Sequence, residues 1–142
     1  MSAGIHVMEE SVWIFLPTLK KAVLVMCGGG LGALSRYSIS LLAAKSWGTQ
    51  FPWGTLTANL LGCFLIGLIF ALADRVRLLT PDMRLLLITG YLGALTTFSS
   101  YSLETVNAGR ASLTMQPFVN ALVNNLGGLV LTFFGLWLGG LK

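Results

Sequence analysis

The chain has 142 residues, of which 55% are hydrophobic and 10% charged, and its mean hydropathy is +0.80. A soluble domain carries about one quarter charged residues, and a disordered chain is more polar still. Both are excluded as starting points, and the composition reads as a small one-domain membrane protein.

The net charge of +4 comes from nine Lys or Arg against five acids. It includes no long basic run and no nucleic-acid motif, so it reads as anchoring to lipid headgroups, with no nucleic acid as partner. Residues 1–21 form a leader. It holds the single histidine His6, the acids Glu9 and Glu10, and an apolar run from Val12 to Leu16 that Pro17 is expected to stop. It reads as a short interfacial helix or a tail, without a convincing cleavage site for a removed signal peptide.

After Lys20 and Lys21, four apolar segments follow, at about residues 22–44, 51–73, 84–106 and 118–141. As helices, each spans roughly 30–35 Å, the thickness of a hydrocarbon core of about 30 Å. The alternating pattern of a lipid-facing barrel is absent. The expected fold is therefore an all-α membrane domain over residues 22–142 with four crossings and both termini on one side. That side would hold Lys20, Lys21, Arg75, Arg77, Arg84 and Lys142, against Lys45 and Arg110 on the other. The excess places the termini in the cytoplasm.

Each segment carries polar or small residues that lipid would not favour. In the first, Gly28, Gly32 and Ser35 make a face open to close helix approach. Arg36 lies roughly 12 Å deep, where it either snorkels or meets polar partners. In the second, Thr55 and Asn59 share a helix face, ahead of Gly62, Cys63 and Gly67. Asn59 either joins two helices or offers its amide N–H to an anion. The third reads GYLGALTTFSSY from Gly90 to Tyr101, with Glu104 beyond. This is either a continuous helix whose Ser and Thr bond to their own turn, or one broken at Gly93, Thr96 and Thr97, where freed carbonyls can bind a small cation. In the fourth, Asn120, Asn124, Gly128 and Thr132 form one stripe, with Asn125 beside it. Cys27 and Cys63 lie in apolar runs and read as buried free thiols without metal-ligand spacing.

Three of these stretches, GGGLGALSRY, GTLTANLLGCFLIG and GYLGALTTFSSYSLE, occur in this order on successive segments. In this the chain resembles the fluoride-specific ion channel family of microbial inner membranes (Fluc/CrcB) over residues 22–141. The resemblance implies a passive, selective fluoride channel. It would be an antiparallel, dual-topology dimer of four-span subunits with two pores and a broken third helix. It implies pore residues Asn59, Phe98, Ser99 and Tyr101, with Thr132 on a polar track of the fourth span. Arg36 and Glu104 take vestibule or structural places. Backbone carbonyls at Gly93 and Thr97 would hold a structural Na⁺ at the dimer centre. Two features depart from the family pattern. Tyr101 stands where phenylalanine is usual, adding a hydroxyl to the pore wall. The bias of six basic residues against two is also unexpected in a chain that inserts both ways, so pairing is either with itself or with an oppositely oriented homologue.

A four-span multidrug exporter would need a membrane-embedded glutamate in its first span, where this chain has Arg36 instead. A non-transporting assembly protein would not explain hydroxyls and paired aromatics at mid-membrane. An enzyme is not expected, because no nucleophile and base stand at a workable spacing.

Overall fold

Without water to bond, backbone groups in an apolar setting must pair within their own segment. Every regular element among the described residues of the computed structural model is accordingly helical. These are residues 2–76, 79–111 and 115–141, with 2–17 and 74–76 described by their backbone only. Helix α1 runs from Ser2 to Trp47, straight through Pro17, which was expected to stop it. Proline costs a helix one hydrogen bond and tends to kink it, but here the helix continues through it.

Gly48, at φ 78°, ends α1 in a conformation that glycine adopts freely. Helix α2 spans Trp53–Val76. Between them, the rings of Trp47 and Phe51 lie 5.9 and 4.7 Å from that of Trp53, an aromatic cluster of the kind found at membrane interfaces.

The next segment is bent. It starts at α3 (Pro81–Arg84), where the Thr80 hydroxyl accepts the Met83 N–H and Pro81 occupies the first turn. It continues as a widened π-helical stretch over Leu85–Leu92 and a last turn, α4 (Gly93–Leu95). Thr96 is then extended, with ψ 154°, and α5 resumes over Phe98–Ala111. Of the two readings open for this segment, the broken helix is the one found. The break falls at Thr96 and Thr97, while Gly93 keeps helical angles of φ −61° and ψ −32°. Finally come α6 (Gln116–Leu122), a second π-helical stretch over Val123–Gly127, and α7 (Gly128–Gly140).

Two parallel pairs build the bundle. Gly28 and Gly32 of α1 lie against the backbone of Leu86 and Tyr91, and a methyl group at either would collide with a carbonyl there. Gly67 of α2 and Gly135 of α7 meet Thr132 and Phe64 in the same way. The pairs run antiparallel to each other: Gly54, near the start of α2, packs on Ser40, near the end of α1. At the opposite end Lys20 forms an ion pair with Asp82. Ala58, Leu92 and Leu95 form a buried cluster at the centre of the bundle.

The outer faces are oily. Leu34, Leu42, Val130, Phe133 and Trp137 are all at least 60% exposed, the inverse of a soluble protein. Three helical stretches, Thr18–Trp47, Trp53–Ala73 and Gln116–Gly140, are long and apolar enough to cross a membrane. The bent segment divides at Thr96. Both cysteines are free, but Cys27 is exposed and Cys63 half-buried. The expectation of burial fails because Gly28, not its neighbour Cys27, faces the bundle.

Candidate functional site

The break is built from its own hydroxyls and one asparagine. The Thr96 hydroxyl bonds back to the Leu92 carbonyl at 3.0 Å, closing the first half. The Thr97 hydroxyl accepts the Ser100 N–H at 3.3 Å, as an N-cap residue does, and opens the second. Asn59 of α2 bridges the gap. Its Oδ1 accepts the Thr97 N–H at 2.8 Å, and its Nδ2 donates to the Thr97 carbonyl at 3.2 Å. Both backbone groups of Thr97 are thus held by a single carboxamide, with Gly62 leaving room for the Thr96 methyl one turn along.

A row of amides continues from there. Asn59 Nδ2 donates to Asn124 Oδ1 at 3.0 Å, Asn124 Nδ2 to Asn120 Oδ1 at 2.9 Å, and Asn120 Nδ2 to the Thr105 hydroxyl at 2.7 Å. The Thr105 hydroxyl donates to the Tyr101 carbonyl. Asn120 is only 2% exposed, so its full pairing avoids a desolvation cost of about 1–3 kcal/mol. Further along α5, the Thr55 hydroxyl donates to Glu104 Oε1 at 2.7 Å. Glu104 Oε2 is buried without a partner among the described residues. Beside this pair opens a cavity of about 730 Å³, lined by Ser40, Gln50, Trp53, Asn107 and Gln116 among others.

The sequence-derived candidates divide accordingly. Asn59, Thr97 and Ser99 are brought together, the two hydroxyls lying 3.2 Å apart. Phe98, 76% exposed, packs its ring 5.5 Å from that of Tyr101. Ser99 is exposed and Tyr101 half-buried. Glu104 lies one turn beyond Tyr101, against Thr55. Gly93 lies in α4, just before the break. Thr132 stands apart in the α2–α7 seam, where its hydroxyl is 2.9 Å from the Gly128 carbonyl and 3.1 Å from that of Cys63. Arg36 is half-buried on α1, without a hydrogen bond or ion pair to any described residue. Nor do three His, Cys, Asp or Glu side chains among those residues gather as a metal cluster.

Sequence reasoning noted the stripe of Asn120 and Asn124 but not its junction with Asn59. The signal was there in the one-turn spacing. The partner across the bundle was not.

Known proteins place the chain in a family. Residues 23–136 match the family model of CrcB-like protein, Camphor Resistance (CrcB). The fluoride-specific ion channel FluC of Salinibacter ruber is 44% identical over 115 residues, covering 81% of this chain and 86% of the relative. That of Dehalococcoides mccartyi is 40% identical over 119 residues, covering 84% and 92%. That of Legionella pneumophila is 41% identical over 111 residues, covering 78% and 83%. With its glycine-docked bent segment and the polar break inside it, the chain belongs to the CrcB-like family of fluoride-specific ion channels.

Proposed function

We propose that the chain forms a passive, fluoride-selective channel through which F⁻ leaves the cytoplasm. The observation that carries this reading is the break at Thr96 and Thr97. Open backbone at membrane depth is tolerated where it borders protein or a polar cavity, and here exposed Phe98 and Ser99 stand directly beside it. The chain is a multi-pass protein of the cell inner membrane, and its family is one of channels, not enzymes.

Fluoride is small and strongly hydrated, so a selective path must replace its water with donors. Ser99 supplies an O–H. Asn59 supplies N–H groups, but both are engaged, by the Thr97 carbonyl and by Asn124, so an anion must take one over. Ring edges of Phe98 and Tyr101, the positive side of the aromatic quadrupole, narrow the path. Such sites are individually weak, as throughput requires. Arg36 and Glu104 belong to the vestibule or to packing, and Thr132 braces the seam beside the path.

The assembly we propose is an antiparallel dimer of four-span subunits with two pores, either with itself or with an oppositely oriented homologue. The residues at the break fit a structural Na⁺. With the Thr97 N–H turned to Asn59, the Gly93 carbonyl lacks its helical donor. The Thr97 carbonyl keeps one lone pair beside its bond to Asn59. Bound there, the ion would supply a fixed positive charge to offset these carbonyls.

The test is efflux from liposomes holding the purified chain, read by a fluoride electrode with a matched chloride run. Fast fluoride efflux with negligible chloride efflux is expected. Failure of fluoride efflux from folded protein, both alone and with an oppositely oriented partner, would refute the reading.

A further inference from the structure

The hydroxyl of Tyr101 has a partner that the proposed channel function does not use. Asn125 lies in the π-helical stretch Val123–Gly127, on the exposed side of the amide row. Its Nδ2 donates to the Ala121 carbonyl at 2.8 Å and to Tyr101 Oη at 3.0 Å. A backbone carbonyl only accepts, so the first bond fixes which end of the carboxamide faces inward. The second bond is therefore also a donation from Asn125, and Tyr101 Oη is the acceptor. Its own proton has no acceptor among the described residues.

Two further observations bear on what this pair does. Around Asn125 the surface is apolar, with Phe118, Leu122 and Leu126 all more than half exposed. An exposed amide is costly in such a membrane setting and marks function more often than packing. π-helical turns are also frequent at functional sites, and here one carries the residue that reaches the aromatic pair. A hydroxyl that accepts a hydrogen bond is in turn polarised into a stronger donor.

We propose that Asn125 is a positioning residue for anion passage. It holds the Tyr101 hydroxyl as an acceptor on the protein side, so that its O–H points outward as a donor for a passing fluoride. It does not itself touch the anion. This inference rests on the proposed fluoride path past Phe98 and Tyr101, and the experiment separates the two.

Fluoride efflux is measured for the intact chain, Asn125→Ala, Tyr101→Phe and the double variant, with the fluoride-concentration dependence of flux and thermal unfolding of each in detergent. Asn125→Ala and Tyr101→Phe should each lower flux roughly three- to tenfold, the span of one net hydrogen bond. Asn125→Ala should have no further effect once Tyr101 is phenylalanine. Each should raise the fluoride concentration for half-maximal flux and leave unfolding unchanged. Equal losses from Asn125→Ala in both backgrounds, or no loss in either, would overturn the positioning role. So would a fall in unfolding temperature that tracks the loss of flux, since that is the mark of a packing bond. If the intact chain passes no fluoride, the channel reading itself falls, and this inference falls with it.

Discussion

The two halves of the bent segment are held in different proportions by close packing and by hydrogen bonds. The first, residues 81–95, is mostly apolar beyond Asp82 and Arg84 at its start. It is docked on α1 chiefly by backbone contacts at Gly28 and Gly32, with Gly90, Leu92 and Leu95 buried. The Lys20–Asp82 ion pair and a hydrogen bond from the Tyr91 hydroxyl to Ser35 add polar ties. The second, α5, has no buried residue. It is held by side-chain hydrogen bonds: Asn59 to Thr97, Thr55 to Glu104, and Asn120 to Thr105. Close backbone approach dominates the first half. Directional bonds fix the second, and in the proposed channel those of Asn59 are the ones an anion would take over. A membrane protein that must be both rigid and briefly hydrophilic thus divides the two tasks at a two-residue break.

The division is most easily broken on the apolar side. In Gly32→Leu the new side chain would run into the Tyr91 carbonyl and the Leu95 N–H. Overpacking of this kind costs about 1–3 kcal/mol and sometimes more, and backbone cannot yield as a flexible side chain can. The expected outcome is loss of folded protein, read by size-exclusion chromatography after extraction. Normal elution with normal flux would mean that close approach does not fix the first half.

On the polar side the largest effect belongs to Asn59→Leu. It strips partners from the Thr97 N–H, the Thr97 carbonyl and Asn124 Oδ1, groups that cost about 1–3 kcal/mol each if left buried and unpaired. The first half remains docked, so the protein should still elute as an assembled species while fluoride flux falls to the leak of empty liposomes. Flux at the unmodified rate would remove Asn59 from the path.

How these differences could be read in advance depends on the kind of contact. The four apolar segments were legible because burial in lipid demands length and composition, both linear properties of a sequence. So was the shared face of Thr55 and Asn59, which one helical turn fixes. The site of the break was not. Thr96 and Thr97 bond equally well to a preceding carbonyl in a continuous helix, and what tips them is a carboxamide from another helix. The two π-helical stretches were also hidden, since no residue pattern marks them. Pro17, read as the stop of a short apolar run, instead lies inside α1.

A smaller loss is expected from Thr97→Ala. The backbone bonds to Asn59 survive, but the hydroxyl that accepts the Ser100 N–H and joins Ser99 is gone. Removing an N-cap costs about 0.5–2 kcal/mol, so α5 should start less firmly and flux should fall several-fold without being abolished. If the neighbouring carbonyls hold Na⁺, the sodium concentration required for full flux should rise in parallel. Unaltered sodium dependence would separate the cap from the cation site.

The smallest effect is expected from Thr132→Val, and it sharpens the division most. Its hydroxyl lies against the Gly128 and Cys63 carbonyls. Both carbonyls lie inside continuous helices, α7 and α2, where N–H groups four residues on already satisfy them. Valine has nearly the same shape, so the seam between Gly67 and Gly135 should close as before, with at most one net hydrogen bond of about 0.5–1.5 kcal/mol lost. Folding should be intact and fluoride flux within about twofold, since that bond lies in the ground state of the seam and not at the break. A collapse of flux with the fold preserved would instead carry the polar path along α7, and the exchangeable bonds would then extend well beyond α5.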